Sequence, residues 1–337
     1  MSTTPQDVDR LIQTVLSDLG WDADASAVAE RIRRLDIGLP REDEFAVVCS
    51  WLGKCRLLHK LDQQQIPLSS REAFQVPDLL ALFSTQAVNL PVLIEVKSNK
   101  ARTLSFQPGY LERLTNYANL LRFPLLIAWK HHGIWTLFEA KHLKKANTNY
   151  NITLSLALKE NLLGVLAGDV AYRIGAGAGI HLRFRKDRMV RQEGGGCERT
   201  EEWITVIDDV AFTDYRGERR TDFESEVTAL FTAWDLEQQE WHTDSHVHMS
   251  FVAGAEGMKF AHMALVRLLQ WEAPEDRRLN WRHLLRKDQV TASITDFSAA
   301  LSAALRQNVV YHILHQHPHS MPEFIAARVA GPAVADS

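Results

Sequence analysis

The stretch FQVPDLLALFSTQAVNLPVLIEVKSNK, Phe74 to Lys100, sets charged side chains against two hydrophobic runs: Asp78 beside the first, Glu95 and Lys97 inside the second. A carboxylate at an apolar layer loses solvation and is costly unless something pairs with it. In an extended chain alternate side chains share a face, so Glu95 and Lys97 project together while Val96 points away. If Val76–Phe83 pairs beside Val92–Ser98, Asp78 reaches that same face. Two converging carboxylates repel each other. A divalent cation relieves this, and Mg²⁺ typically takes one or two carboxylates together with water and substrate phosphate. A lysine nearby can orient or help deprotonate a water, or stabilise a pentavalent phosphate. These groups suffice for metal-assisted phosphodiester hydrolysis.

The elements that would hold such groups can be read from periodicity. Residues 4–19 place Val8, Leu11, Ile12, Val15, Leu16 and Leu19 on one helical face, and Ala25–Leu35 reads as a second short helix. Residues 1–35 thus form a helical lead-in. A longer helix is expected over 40–62, then the two strands, then a helix from Tyr110 to Arg122. The strands PLLIAWK and GIWTLFEAK follow, joined by a turn at His131–His132–Gly133. From about Tyr150 the texture changes to strands separated by Gly-rich turns. Helices are then expected in TDFESEVTALFTAW, GMKFAHMALVRLLQW and FSAALSAALRQNVVYHILHQH. A domain boundary falls near 145–155.

The pattern VPDLLAL followed by IEVKSNK resembles the PD-(D/E)xK nuclease motif, and within that superfamily the archaeal-type Holliday junction resolvases are similar over about Arg41–Lys141. That branch opens with a helix bearing a metal-site glutamate, followed about eleven residues later by glycine; Glu42 and Gly53 have that spacing. Its later helix, lysine-ending strand and aromatic strand resemble LERLTNYANLLRFPLLIAWKHHGIWTLFEA. The resemblance implies that Asp78 and Glu95 bind Mg²⁺, with Mn²⁺ able to substitute, and that Lys97 is the catalytic lysine. Glu42 would complete the metal site, with Glu44 a rival for that role. Basic residues near the glutamate are thin, Arg41 alone being adjacent, and the link STQAVNLP is neutral, which speaks against junction specificity more than against nuclease chemistry. Asn116 and Tyr117 sit on the helix where related nucleases place supporting residues, although core packing accounts for Tyr117 as well.

Several other features invite a functional reading. Glu139–Ala140–Lys141 repeats the ExK triplet, but no aspartate strand precedes it. Ten of the 14 histidines lie from His181 onward. The pairs His246/His248, on a strand, and His312/His315, on a helix, have zinc-like spacing, but solvated or helix-end histidines fit better. Gly175–Gly179, GAGAG, lacks the form of a phosphate loop and reads as a turn. HLRFRKDRMVR concentrates positive charge: Arg183 and Arg185 would share a strand face, and with Arg188 they are the expected nucleic-acid contacts.

Composition bounds the rest. With 46% hydrophobic and 24% charged residues the chain has an ordinary globular make-up. Its net charge of −4 excludes a globally basic nucleic-acid binder, so phosphate contacts need a local patch. Three cysteines without a CxxC pair, no signal-like start and no membrane-length apolar run point to a cytoplasmic protein. The expected fold is α/β: a restriction-endonuclease-like core with a mixed central sheet flanked by helices over residues 36–150, and an α+β domain over 151–330 for substrate, oligomer or partner contacts. The expected activity is a metal-dependent nuclease, endonuclease rather than exonuclease, with DNA favoured over RNA. Restriction or anti-phage defence, mobile-element processing and repair all suit it. A homodimer and a protein partner for the C-terminal domain are expected, because cutting two strands needs two sites. The alternative is a nuclease-fold subunit that is non-catalytic or partner-activated.

Overall fold

The apolar run Pro91–Ser98 forms the middle strand, β3, of a five-stranded sheet. The computed structural model describes residues 41–61, 65–84, 91–194, 200–255, 257–271, 284–285, 290–291 and 293–326. The helices expected over 4–19 and 25–35, Cys197 and the tail AGPAVADS lie outside the described residues.

The sheet runs β1-β2-β3-β5-β6, with β1 Cys55–Lys60, β2 Leu79–Phe83, β5 Leu125–His131 and β6 Ile134–Glu139. Only β3 and β5 are parallel; every other neighbouring pair is antiparallel. The parallel pair needs a crossover, and the helix Pro108–Leu121 supplies it after β4, Thr103–Phe106. Proline at the start of that helix is pre-set for helical φ. The helix ends at Arg122, in the left-handed region at φ 57°, and buries Leu111, Leu114 and Ala118 along one face. The hairpin β7 (Lys144–Ala146) and β8 (Asn149–Thr153) pairs with β4 as a small sheet that the sequence reading did not foresee. The turn at His132–Gly133 forms as expected, both residues having positive φ.

The helix expected over 40–62 stops early. It spans residues 41–51, and Cys55–Lys60 is the edge strand β1, paired with β2. The break falls at Gly53, whose φ of +104° favours glycine, and a Cβ there would lie 2.5 Å from the Asp296 carboxylate. Asp296 in turn caps the helix Phe297–Arg306 by accepting the Ala299 amide at 2.9 Å. Replacing Gly53 by alanine therefore strains the backbone and displaces a cap. Thermal unfolding of Gly53→Ala should show a loss of roughly 2 kcal/mol or more; an unchanged melting temperature would refute this account.

Beyond residue 153 come the short helices Leu154–Lys159 and Leu163–Leu166, then β9 Val170–Ile174. β9 is the centre of a three-stranded sheet between β15 (Lys259–Phe260) and β16 (Val310–His315). A second five-stranded sheet runs β12-β11-β10-β14-β13: Arg219–Arg220, Thr200–Thr213, Gly179–Glu193, His246–Val252 and Glu237–His242. Helices Ser225–Leu230 and Ala261–Trp271 form where the sequence places them. The last expected helix is split: after Phe297–Arg306, Asn308 takes φ 60° and the β-branched Val309–Val310 lead into β16. His312 and His315 are therefore on a strand rather than a helix, and three residues apart on a strand they lie on opposite faces.

Two hydrophobic clusters sandwich the first sheet. On one face Ile127, Trp129 and Phe138 pack with Leu104, Phe106, Leu111, Leu114 and Ile152. On the other, Leu79, Ile94, Val96, Leu126 and Ala128 join Phe45 and Val48 of the first helix. That second cluster continues without interruption into Leu163, Tyr172, Leu265, Phe297 and Leu301. Among the described residues no helix is long and apolar enough to cross a membrane.

Candidate active site

Strand pairing brings the three motif residues together. β2 and β3 are antiparallel with Leu79 opposite Ile94 and Leu80 opposite Leu93, so continuing the register by one residue sets Asp78 opposite Glu95. Asp78 is buried, and its Oδ2 accepts the Val96 amide at 2.7 Å. Glu95 is 1% exposed. Its Oε1 accepts from the Lys97 ammonium and from the Tyr110 hydroxyl, while its buried Oε2 has no hydrogen-bond partner. Lys97 also donates to the Tyr110 oxygen at 3.3 Å and lies 5.0 Å from that ring's centre. One carboxylate oxygen is thus satisfied and the other faces the site unmade.

The electrostatics are those of a buried cluster rich in carboxylates. Burial first, then the charges of Glu95 and Glu42, push the Asp78 carboxyl well above the usual carboxylate range. Burial works against the Lys97 charge, but Glu95, Tyr110 and Asp78 outweigh it and hold the ammonium above its ordinary range. Burial and the Glu95 charge likewise raise the Tyr110 phenol. Lys97 is therefore held as a cation, suited to donating hydrogen bonds and stabilising negative charge.

The two rival glutamates on the first helix go to different places. Glu42 lies near enough to Asp78 to raise its pKa and is bound by Lys60 at 2.9 Å, an ammonium that also holds Asp43 at 2.7 Å. Glu44 is buried and taken by Lys130, by Arg41 at 3.1 Å and by the Trp135 indole N–H at 3.1 Å. Of the two, Glu42 is the one whose charge acts on Asp78. Among the described residues no three His, Cys, Asp or Glu side chains converge as a preformed metal cluster.

Tyr110 escaped the sequence reading, which singled out Asn116 and Tyr117 on the same helix. Asn116 instead donates to the Ala73 carbonyl at 3.1 Å, fastening the helix to the turn before β2. The missed signal is positional: the first turn of a crossover helix looks back at the strand that feeds it, and Tyr110 lies there, four residues before the buried Leu114. If the phenol fixes Glu95, Tyr110→Phe should cut metal affinity or turnover by roughly 10-fold, within the range for groups that orient a metal ligand. Titration of Mg²⁺ or Mn²⁺ by calorimetry checks this.

The other expected sites are placed as follows. Arg183, Arg185 and Arg188 are exposed on β10, Arg183 with Asp208 at 3.2 Å and Arg185 with Asp187 at 3.5 Å. GAGAG is a turn into β10, with Gly177 at φ +91° and the Ala178 amide on the Gly175 carbonyl. Glu139 and Lys141 of the second ExK triplet form an ion pair at the end of β6.

A mixed sheet with one parallel pair bridged by a helix, and a Glu–Lys pair on its middle strand faced by an Asp at the start of the neighbouring one, is the architecture of a restriction-endonuclease-like α/β core. Residues 66–167 match the family model described as archaeal Holliday junction resolvase (hjc), a family of the PD-(D/E)xK superfamily. The match takes in Asp78, Glu95, Lys97 and Tyr110 and leaves out Glu42 and Gly53. Among solved structures, Hjc, a Holliday junction resolvase from the archaeal hyperthermophile Archaeoglobus fulgidus, is similar over 35% of this chain and 89% of that one, at 21% identity and a TM-score of 0.29. No curated protein matches the chain.

Proposed function

We propose that this chain is a divalent-metal-dependent endonuclease that hydrolyses DNA phosphodiesters, with branched DNA as the first substrate to test. The observation that carries the reading is the buried, unpartnered Glu95 Oε2 opposite Asp78, with Lys97 beside it. A buried carboxylate oxygen without a donor is a costly arrangement that a cation removes, so the donor set fits Mg²⁺ or Mn²⁺. Asp78, Glu95 and Glu42 would hold the ion, which supplies charge neutralisation and an activated water. Lys97 positions the nucleophile and stabilises the charge that builds on phosphate, Tyr110 fixes the Glu95 carboxylate, and burial excludes bulk water. Residues 36–150 carry this chemistry, and residues 151–330 select the substrate or meet a partner. A homodimer supplies two sites for two strands. The setting is cytoplasmic, in DNA repair, mobile-element processing or defence.

A second reading has its own support. Lys60 occupies Glu42 and Lys97 occupies Glu95, as in a subunit whose site opens only in a complex. Cleavage of linear duplex, supercoiled plasmid, single strands, a four-way junction and RNA, with Mg²⁺, Mn²⁺ or EDTA, separates the two. Metal-dependent cutting by the purified chain supports the first. A folded, metal-binding chain that cuts nothing supports the second. Failure of the purified chain to bind metal at all defeats the first reading and leaves a non-catalytic scaffold or a site closed outside its complex.

A further inference from the structure

We propose that one face of the β12-β11-β10-β14-β13 sheet, outside the segment matched to the resolvase family, binds a nucleic-acid strand with unpaired bases: phosphates along four arginines of β10, a base against Trp241. The proposal deepens the nuclease reading by naming the form of its substrate, yet it concerns a separate surface whose binding is measured without cleavage.

The arginines are Arg183, Arg185, Arg188 and Arg191, separated by two, three and three residues. In a regular strand steps of three would send them to alternate faces. The structure corrects this with two bulges, at Asp187 and Val190, where β10 carries one extra residue each time. Arg185, Arg188 and Arg191 consequently sit opposite Val206, Ile204 and Glu202, positions two apart on β11 and so on one face. Bulges commonly serve to re-aim a side chain. Here they turn an irregular spacing into a row roughly 20 Å long, from six ladder steps at about 3.3 Å each once the extra residue of β11 at Asp208 is allowed for.

The neighbouring strands extend the same face. Arg183 pairs with His248 and Arg185 with His246 across β14, and Trp241 of β13 lies opposite His248. Trp241 is 48% exposed, and its ring stacks on His248 at 4.8 Å with 7° between planes. A flat, solvent-facing aromatic pair beside a basic row is what strand-tracking surfaces use, with bases stacked on rings and phosphates met by arginine. The arginine row with the exposed Trp241–His248 stack selects this occupant over a second copy docked by the same face, which would set arginine against arginine.

Acidic groups share the face and set its strength. Asp208 holds Arg183 and, at 3.3 Å, His246; Asp187 meets Arg185; Glu193 meets Arg191; and Asp209, itself paired with Arg219 at 2.5 Å, and Glu202 lie opposite Arg183 and Arg191 on β11. These pairs are exposed, and such pairs contribute on the order of 0–1 kcal/mol each, so phosphate can displace the carboxylates. Among the described residues Arg188 has no acidic partner. Binding should accordingly be moderate and strongly dependent on salt.

The test is fluorescence anisotropy with the full chain carrying Lys97→Ala, in EDTA, so that binding is read without cutting. Probes are a single-stranded oligonucleotide, a duplex with a single-stranded flap, and a blunt duplex of equal length. Strand and flap should bind about 10-fold or more tighter than the blunt duplex. Arg188→Glu should weaken binding and flatten its salt dependence by about one ion per arginine, and Trp241→Ala should weaken strand binding roughly 10-fold. Circular dichroism melts confirm that both surface variants fold; if either fails to fold, Arg188→Ala and the strand-compatible, ringless Trp241→Thr replace them, with the same losses expected. No binding, equal binding to blunt duplex, or folded variants that bind as the parent would each overturn the proposal. A parent chain, with Lys97 intact, that binds the strand but cuts nothing with Mg²⁺ or Mn²⁺ would instead defeat the nuclease reading alone.

Discussion

Lys97→Ala should lower DNA cleavage by roughly 10²–10⁴-fold, the range expected when one positioned charge or proton-handling group is removed from a transition state, while DNA binding persists. Two contacts tie Lys97 into the site: its ammonium is bound to Glu95 Oε1 and donates to Tyr110 at 3.3 Å. Its surroundings raise its pKa, so it stays a cation through neutral pH and its loss removes a positive charge from beside two buried carboxylates. The folding cost should be small, because the side chain is one-third exposed and the strand beneath it is secured by Val96 and Ile94 in the core. Single-turnover cleavage beside anisotropy separates chemistry from binding. Equal loss of both would mean that Lys97 serves only to attract DNA.

Asp78→Asn should produce the opposite balance of stability and function. The carboxylate is buried beside Glu95 and within reach of Glu42's charge, and its pKa is raised. A group whose folded pKa lies above its unfolded value binds more protons in the folded state. It therefore costs nothing below the unfolded value, near pH 4, and progressively destabilises the fold as pH rises through the folded pKa. Asparagine keeps an oxygen for the Val96 amide and loses the charge. Without metal at pH 7 the variant should be as stable as the parent or more so. With Mg²⁺ the order reverses, since saturating ligand at about 100 times its dissociation constant adds about 2.7 kcal/mol to the parent and little to the variant. Thermal melts with and without Mg²⁺, run at pH 5 and pH 8, test both halves. A Mg²⁺ effect of equal size in the two proteins would remove Asp78 from the metal site.

Much of the site was legible before the fold was known, because its geometry is local. Glu95 and Lys97 share a face by strand alternation alone, and Asp78 faces Glu95 as soon as two antiparallel strands pair in register. Glu42 against Glu44 could not be settled that way. The choice depends on the pitch at which the first helix crosses the sheet, and it is made by Lys130 and Trp135 drawing Glu44 to themselves. Tyr110 was missed because its role depends on where the crossover helix begins. The strand β1 was read as helix because CRLLHK has no clear period, and only the turn at Gly53 and pairing with β2 decide it. In the C-terminal half the alternation of HLRFRKDRMVR suggested a strand, but bulges leave no signature that periodicity can find. The two-sided role of the first sheet was equally hidden, since both of its faces are apolar and the sequence does not say what covers them.

That covering has a consequence for how such a protein can change over generations. Buried His262 takes the Trp135 amide on Nε2 and meets Asp169 at 2.8 Å through Nδ1, and Ser298 donates to the Leu52 carbonyl at 2.6 Å. Polar atoms of the first sheet's half thus find partners in the other half, beneath a continuous apolar layer. A module joined through a loop can be shuffled between genes; this one cannot be exchanged without exposing Ile94, Leu126 and Ala128 and orphaning the groups that face them. The two halves are bound to diverge as a single inherited unit, with innovation confined to the rim of the cleft and to the outer strands.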